Sequence, residues 1–463
     1  MKIIYISVDT CRKSHLGCYG YKHDTTPNID ALAEDGVVFE NAYNTDSPTI
    51  PSYSAFLSGQ VGTKTGCVTF NPYSYLPDQL PFMPQIVAEG GYTTAMVSTL
   101  YWMRKEFTRG FHYYMNPCAG DMINTQTLQA SQVNAMAVPW IKQNYEKDFF
   151  LFIHYWDPHV ESSNSWTIPR GPAYAPRYQL PLGVENRYYK RKPIEEKRFL
   201  SREEQLLWHQ THRDYVISCY DTNIRYVDDH IGEVMKTVKE AGIADDVMVI
   251  FTSDHGELLG EDFPIGKNLW DHLSVYEPEI NVPLVISYPK ELPSNSRIND
   301  LVQSTTDLSA TILDSFGLTK PKEFDGTSLI QLAKGKSQGV YNEVFSETGF
   351  VTSKRCIVTK DRWKLIKTYA RREQEPEIEL FNLKEDPTES LNLVETKSEE
   401  AERLEYRMEK WVDRQLVKVG NMPDPLRIRA MMGQYDWMIM MQKWGAMPYF
   451  GYYWPIHETP RPK

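Results

Sequence analysis

Residues 2–9, KIIYISVD, decide the fold: a short run of mostly β-branched and aromatic residues ends abruptly in a carboxylate. Such a run suits a strand buried on both faces, with Asp9 at its carboxyl end. The pattern recurs at 92–97 (YTTAMV), 149–155 (FFLFIHY), 247–252 (VMVIFT) and 282–287 (VPLVIS). Amphipathic stretches lie between these runs, at 28–35, 83–89 and 214–239. Strands alternating with helices predict an α/β fold, a large mixed, mostly parallel sheet sandwiched by helices. Ligands gather at the carboxyl ends of such strands, where the chain places Asp9, Asp157 and Asp254.

Outward from this core, residues 1–340 read as the large catalytic domain. Shorter strand-like pieces follow at 341–347, 355–359, 363–368 and 378–382, then a helix at 399–416. They predict a smaller C-terminal α+β domain over 341–420. The Met- and aromatic-rich tail, 421–463, packs on its own core, at a membrane surface or, as expected for a homo-oligomer, at a subunit interface. Residues 160–205, rich in Pro, Tyr, Arg and Lys, read as a surface excursion that walls the pocket. Its Trp166, Arg170, Arg177, Tyr188 and Tyr189 suit an anionic or ring-bearing leaving group, or simple solvation.

Acidic residues outnumber basic ones, 61 to 50 in 463, for a formal charge of −11. That balance excludes a nucleic-acid polymer as a non-specific partner and leaves room for a local anion pocket. No apolar run is long enough for a transmembrane segment. The opening MKIIYISVDT lacks an apolar core with a cleavage site, and the six cysteines form no CxxC pair, so a cytoplasmic location is expected.

Three signals carry chemistry. Asp9 ends the first strand, where a carboxylate alone would equally serve as a cap. TSDHGELLGE at 252–261 sets Asp254 beside His255, pairing a carboxylate oxygen with an imidazole nitrogen, a donor set for a borderline divalent metal. HYWDPHVES at 154–162 places His154, Asp157 and His159 after another apolar strand.

These residues belong to longer motifs: SVDTCRKSHLGCYGYKHDTTPNIDALAEDGVVFENAY (7–43), TIPSYSAFLSG (49–59), HYWDPH (154–159), TSDHGELLGE (252–261), DHLSVYEPEINVPLVI (271–286), STTDLSATILDSFG (304–317), DGTSL (325–329), DRWKLIKT (361–368) and ELFNLKEDPTESLNLV (379–394). On them, in this order across residues 1–395, the chain resembles the sulfatase family of the alkaline phosphatase superfamily. The resemblance implies one divalent metal, Mn2+ or Zn2+ before Ca2+ or Mg2+, held by Asp9, Asp254 and His255 with the Thr49 hydroxyl. Thr10 stands where many members carry a second Asp. The family's Cys or Ser, matured to formylglycine, falls on Thr49, and its Arg four residues later falls on Tyr53. No cysteine here has Pro two residues on and Arg four residues on.

A sulfated formylglycine hydrate collapses by elimination, whereas a threonine ester must be hydrolysed by water, the ordinary course of phosphoryl transfer. The expectation is therefore a metal-dependent hydrolase of phosphate or phosphonate esters, phosphodiesterase-like, with Thr49 as nucleophile through a covalent phospho-threonine. The alternatives are a sulfatase working without formylglycine and an inactive anion-binding relative. His159 and His272 fall on family positions that meet the transferred group, and either imidazole could protonate the leaving alcohol. Thr99 and Tyr101 replace the Lys and His of the family's GKWHLG segment and, with Tyr53, are assigned to the substrate site. Lys267 supplies a compensating cation or is a solvated loop lysine. Asp157 is the candidate ligand for a second metal, and Glu257 orients its neighbours. The partner implied is a small-molecule anionic ester.

Overall fold

The computed structural model describes residues 1–69, 76–117, 128–159, 202–263, 266–272, 274–337, 339–350, 352–369 and 376–431. Along 202–216, at 218–219, along 261–263 and along 266–271 it describes the backbone alone. The 160–201 part of the excursion, with the five residues named in it, and the tail from 432 onward lie outside the described residues.

The apolar runs fold as expected into β1 (Lys2–Val8), β4 (Thr93–Val97), β6 (Phe149–Tyr155) and β7 (Val247–Thr252). They join β2 (Val37–Tyr43), β5 (Tyr113–Met115), β10 (Asn281–Val282), β11 (Leu284–Ser287) and β12 (Ser296–Gln303) in one nine-stranded sheet. β1 lies between β6 and β7, parallel to both, and β4 and β5 continue the parallel array. β11 runs antiparallel to β7 and β2, so the sheet is mixed on that side.

Register sorts side chains onto two faces, because successive residues of a strand point oppositely. Tyr5 lies beside Phe152 and Ser7 beside His154. This face packs on the helix Thr49–Ser58, where Phe56 stacks on Tyr5 at 4.4 Å and Tyr53 Oη meets Ser7 Oγ at 2.8 Å. The other face carries Val8 beside Tyr155, whose hydroxyl donates to Asn134 of the helix Ala130–Asn144 at 2.7 Å. The long helix Arg202–Glu240 packs on that layer. Burial on both faces is why the central strands read as continuous apolar runs.

β2 and β12 were not anticipated. β2 interrupts its apolar residues with half-buried Glu40 and Asn41, which hides the strand pattern. The single run expected at 282–287 is divided at Pro283, which cannot donate to a ladder.

β13 (Glu343–Thr348), β14 (Lys354–Thr359), β15 (Trp363–Thr368) and β16 (Glu377–Asn382) form an antiparallel meander. The helix Ser398–Lys418 covers it, with Trp411 stacked on Phe345 at 4.4 Å. A two-residue strand from the first domain, β3 (Asp46–Ser47), completes this second sheet by pairing in parallel with β13. β8 (Leu258–Phe263) and β9 (Gly266–Asp271) form a separate hairpin.

Candidate active site

The parallel strands β1, β6 and β7 end side by side, and their carboxyl ends deliver the site. Asp9 follows β1 directly, its N–H bonded to the Tyr155 carbonyl at 2.9 Å. Thr10 then turns with φ of 55°, a left-handed conformation that costs a β-branched residue on the order of 1–3 kcal/mol. Its N–H donates to Asp254 Oδ1 at 3.3 Å and its carbonyl accepts the Tyr220 hydroxyl at 2.6 Å, which hold the turn. Asp254 and His255 follow β7. Gly256 comes next because a Cβ there would sit 1.9 Å from the Pro278 carbonyl oxygen.

Asp9, Asp254 and His255 are all buried, and one ligand atom of each lies within 4.8 Å of the others. His255 Nδ1 donates to the Gly256 carbonyl at 2.9 Å, which leaves the Nε2 lone pair facing the site. Thr49, the first residue of its helix, puts Oγ1 3.2 Å from that nitrogen. Asp254 is anchored by its carbonyl, which accepts from Asn44 at 2.8 Å and Ser52 at 2.9 Å.

Two more imidazoles close the ring. His159 Nε2 is 3.9 Å from Asp9 Oδ1, and the His272 ring lies 4.6 Å from His255 and 5.4 Å from His159. His272 Nδ1 is 3.4 Å from Glu257 Oε2, so Glu257 orients that ring. Phe350, from the C-terminal domain, lies nearly parallel to it at 6.0 Å.

The chemistry of the cluster fits a divalent cation. Both oxygens of Asp9 and Oδ2 of Asp254 are buried and accept no hydrogen bond among the described residues, the nearest imidazole nitrogens standing 3.6 and 3.9 Å from Asp9. Buried carboxylate oxygens are normally satisfied, because leaving them bare is costly. Burial, and next the charge of Asp254, hold the Asp9 carboxyl well above the usual carboxylate range. A divalent cation would remove both penalties, and the two carboxylates and one imidazole would hold it.

The remaining expected residues sit elsewhere. Tyr53 is buried beneath the site, its hydroxyl on Ser7 and its ring against His154 at 5.2 Å. Thr99 accepts the Trp156 indole N–H at 2.8 Å, one layer behind the histidines that Trp156 touches. Tyr101 is 42% exposed, against Trp102 and Tyr114. Asp157 Oδ1 accepts the N–H of Ala130 at 3.1 Å, the start of a helix. Lys267 lies on β9, and its side chain is outside the described residues. His154 belongs to the third sequence signal but was given no role there. It is fully buried with Nε2 3.6 Å from Asp9 Oδ2, and burial pushes its pKa down to about 3. Only the pairing of β6 with β1 reveals this.

The family model described as Sulfatase matches residues 2–318, and that described as N-sulphoglucosamine sulphohydrolase, C-terminal, matches residues 266–417. The chain is similar to an N-acetylglucosamine-6-O-sulfatase of Bacteroides thetaiotaomicron, 24% identical over 91% of this chain and 87% of that one. A choline-sulfatase of Rhizobium meliloti is 24% identical over 80% of this chain and 77% of its own. A solved structure in complex with its substrate D-glucosamine-2-N,6-O-disulfate superposes with a TM-score of 0.69 at 19% identity, over 92% of this chain and 99% of that one. These relatives correct the expectation of a phosphodiesterase-like preference for phosphate or phosphonate esters. The inference from Thr49 fails physically because a threonine hydroxyl dictates how an ester intermediate is released. It does not dictate whether phosphorus or sulfur is attacked.

Proposed function

The chain belongs to the sulfatase family, and on that footing we propose that it is a metal-dependent sulfuric ester hydrolase whose nucleophile is the unmodified hydroxyl of Thr49. The observation that carries this reading is the 3.2 Å approach of Thr49 Oγ1 to His255 Nε2, beside the two buried carboxylates. A divalent cation on Asp9, Asp254 and His255 would acidify the Thr49 hydroxyl and offset negative charge on the sulfuryl oxygens.

The protein's own groups then account for both half-reactions. Thr49, its hydroxyl proton released to solvent, attacks sulfur through Oγ1, and the bond from sulfur to the ester oxygen breaks. His159 or His272 gives its proton to the departing alcohol. The same imidazole, now neutral, takes a proton from water as that water attacks the sulfur of the threonine sulfate. The bond to Thr49 breaks, Thr49 Oγ1 recovers a proton from solvent, and inorganic sulfate leaves. Trp156 and Phe350 wall the histidines with apolar surface, which keeps water low around the charges and strengthens them.

The test is turnover of p-nitrophenyl sulfate, N-acetylglucosamine-6-sulfate and choline sulfate by protein loaded with Mn2+, beside phenylphosphonate and phosphate esters. Sulfate release faster than hydrolysis of every phosphorus ester is expected. The reverse order, or no sulfate release, sinks the reading.

A further inference from the structure

His154 is a buried imidazole that the proposed half-reactions do not use. It lies on β6 in register with Ser7 of β1, on the face that carries Asp9 two residues later. Its Nδ1 is 3.2 Å from Ser98 Oγ, at the end of β4. Ser98 Oγ already accepts the Leu100 N–H at 3.0 Å, so its own proton is free to go to His154 Nδ1. The ring proton then resides on Nε2, the nitrogen 3.6 Å from Asp9 Oδ2. Tyr53 packs edge-on against the ring at 5.2 Å and Trp156 at 4.6 Å, which prevents the imidazole from flipping.

We propose that His154 is a positioning residue: locked by Ser98, it presents an N–H to Asp9 and fixes that carboxylate for the metal. It acts through Asp9 and touches no reacting atom. Partners of this kind orient a ligand, and their loss typically lowers metal affinity by about 10–100-fold. The inference rests on Asp9 being a metal ligand, so the experiment reads metal binding without substrate.

Mn2+ dissociation constants, from the electron paramagnetic resonance signal of free Mn2+, are compared for wild type and four variants: His154→Gln, His154→Asn, His154→Leu and Ser98→Ala. Gln can extend an amide N–H to the place of Nε2–H, whereas Asn reaches only as far as Nδ1. Gln is expected to keep most of the affinity. Asn and Leu should lose about 10–100-fold, and Ser98→Ala should fall between. Thermal unfolding of each metal-free variant identifies those that fold, and if Leu does not, the Gln and Asn pair decides. Wild-type affinity in a folded Asn or Leu variant, or a loss in Gln equal to that in Asn, overturns the inference. If wild type itself binds no Mn2+, the metal reading falls and this inference with it. Full metal affinity combined with no sulfatase turnover leaves the inference standing and removes only the proposed activity.

Discussion

Asp46 faces Glu347 in register where β3 pairs with β13, and the nucleophile candidate Thr49 lies three residues past Asp46 in the chain. The C-terminal sheet thus reaches into the catalytic domain and holds the strand that leads into the Thr49 helix. The junction is buried, and its cation is Arg355. Burial and then the charge of Glu347 push the Asp46 carboxyl well above its usual range, while Arg355, fully buried, pairs with Glu347 at 2.7 Å and Asp424 at 3.1 Å.

Arg355 is therefore expected to matter to both stability and rate. Arg355→Met leaves Glu347 buried without a cation and Asp424 with Arg427 alone, at 3.4 Å, and breaking such a buried pair typically costs about 3–5 kcal/mol. Urea unfolding at unchanged slope should show that loss, and adding Glu347→Gln should restore part of it because one orphaned charge is gone. A loss under about 1 kcal/mol would mean water reaches the network.

Thr49→Ala should remove turnover and leave one metal per chain, since Asp9, Asp254 and His255 remain. Thr49→Ser should keep measurable activity because the hydroxyl survives. The intact mass should equal that of the unmodified chain, as no cysteine has the spacing that maturation to formylglycine needs. Turnover by Thr49→Ala near the wild-type rate would remove Thr49 from the reaction and point to water as the nucleophile.

The acid role proposed for His159 or His272 can be read from the leaving group. General acid catalysis matters most for a poor leaving alcohol, with a typical contribution of about 10²–10⁴-fold. His272→Ala should thus lower kcat/KM far more on a sugar sulfate than on p-nitrophenyl sulfate, and His159→Ala is the parallel test. Equal losses on both substrates from both variants would assign these rings to anion binding instead.

Much of this arrangement was legible in the residues, for identifiable reasons. β1, β6 and β7 announce themselves because burial on both faces leaves an unbroken apolar run. Asp254 and His255 are adjacent in the chain, so their joint delivery to one place needs no tertiary knowledge. β2 escaped because Glu40 and Asn41 sit half-buried inside it. The role of His154 escaped because it depends on the register between two strands far apart in sequence. Thr99 and Tyr101 were assigned by resemblance to a family segment whose Lys and His are absent here, and the structure pairs Thr99 with the Trp156 indole. The choice between sulfur and phosphorus escaped because both esters present a tetrahedral anion to the same metal and imidazoles.

Metal removal should make stability fall as pH rises. Unfolded, Asp9 titrates in the ordinary carboxylate range, whereas in the folded metal-free chain burial, and then Asp254, raise its pKa well above that range. Between the two values the folded chain binds more protons than the unfolded one, so the slope of unfolding free energy against pH is negative. The contribution is fully present below the unfolded value and lost as pH climbs through the folded one. Asp228, raised by burial to about 7, and Glu279, raised by burial to about 8, act in the same direction, so the comparison with Asp9→Asn isolates the site. A bound cation favours the ionised carboxylate, and the rise in Tm on adding Mn2+ should therefore grow from about pH 5 to about pH 8. Asp9→Asn should show a flatter metal-free profile and little gain from Mn2+. A Mn2+-induced gain that stays constant over this interval would mean that Asp9 is already ionised in the metal-free fold.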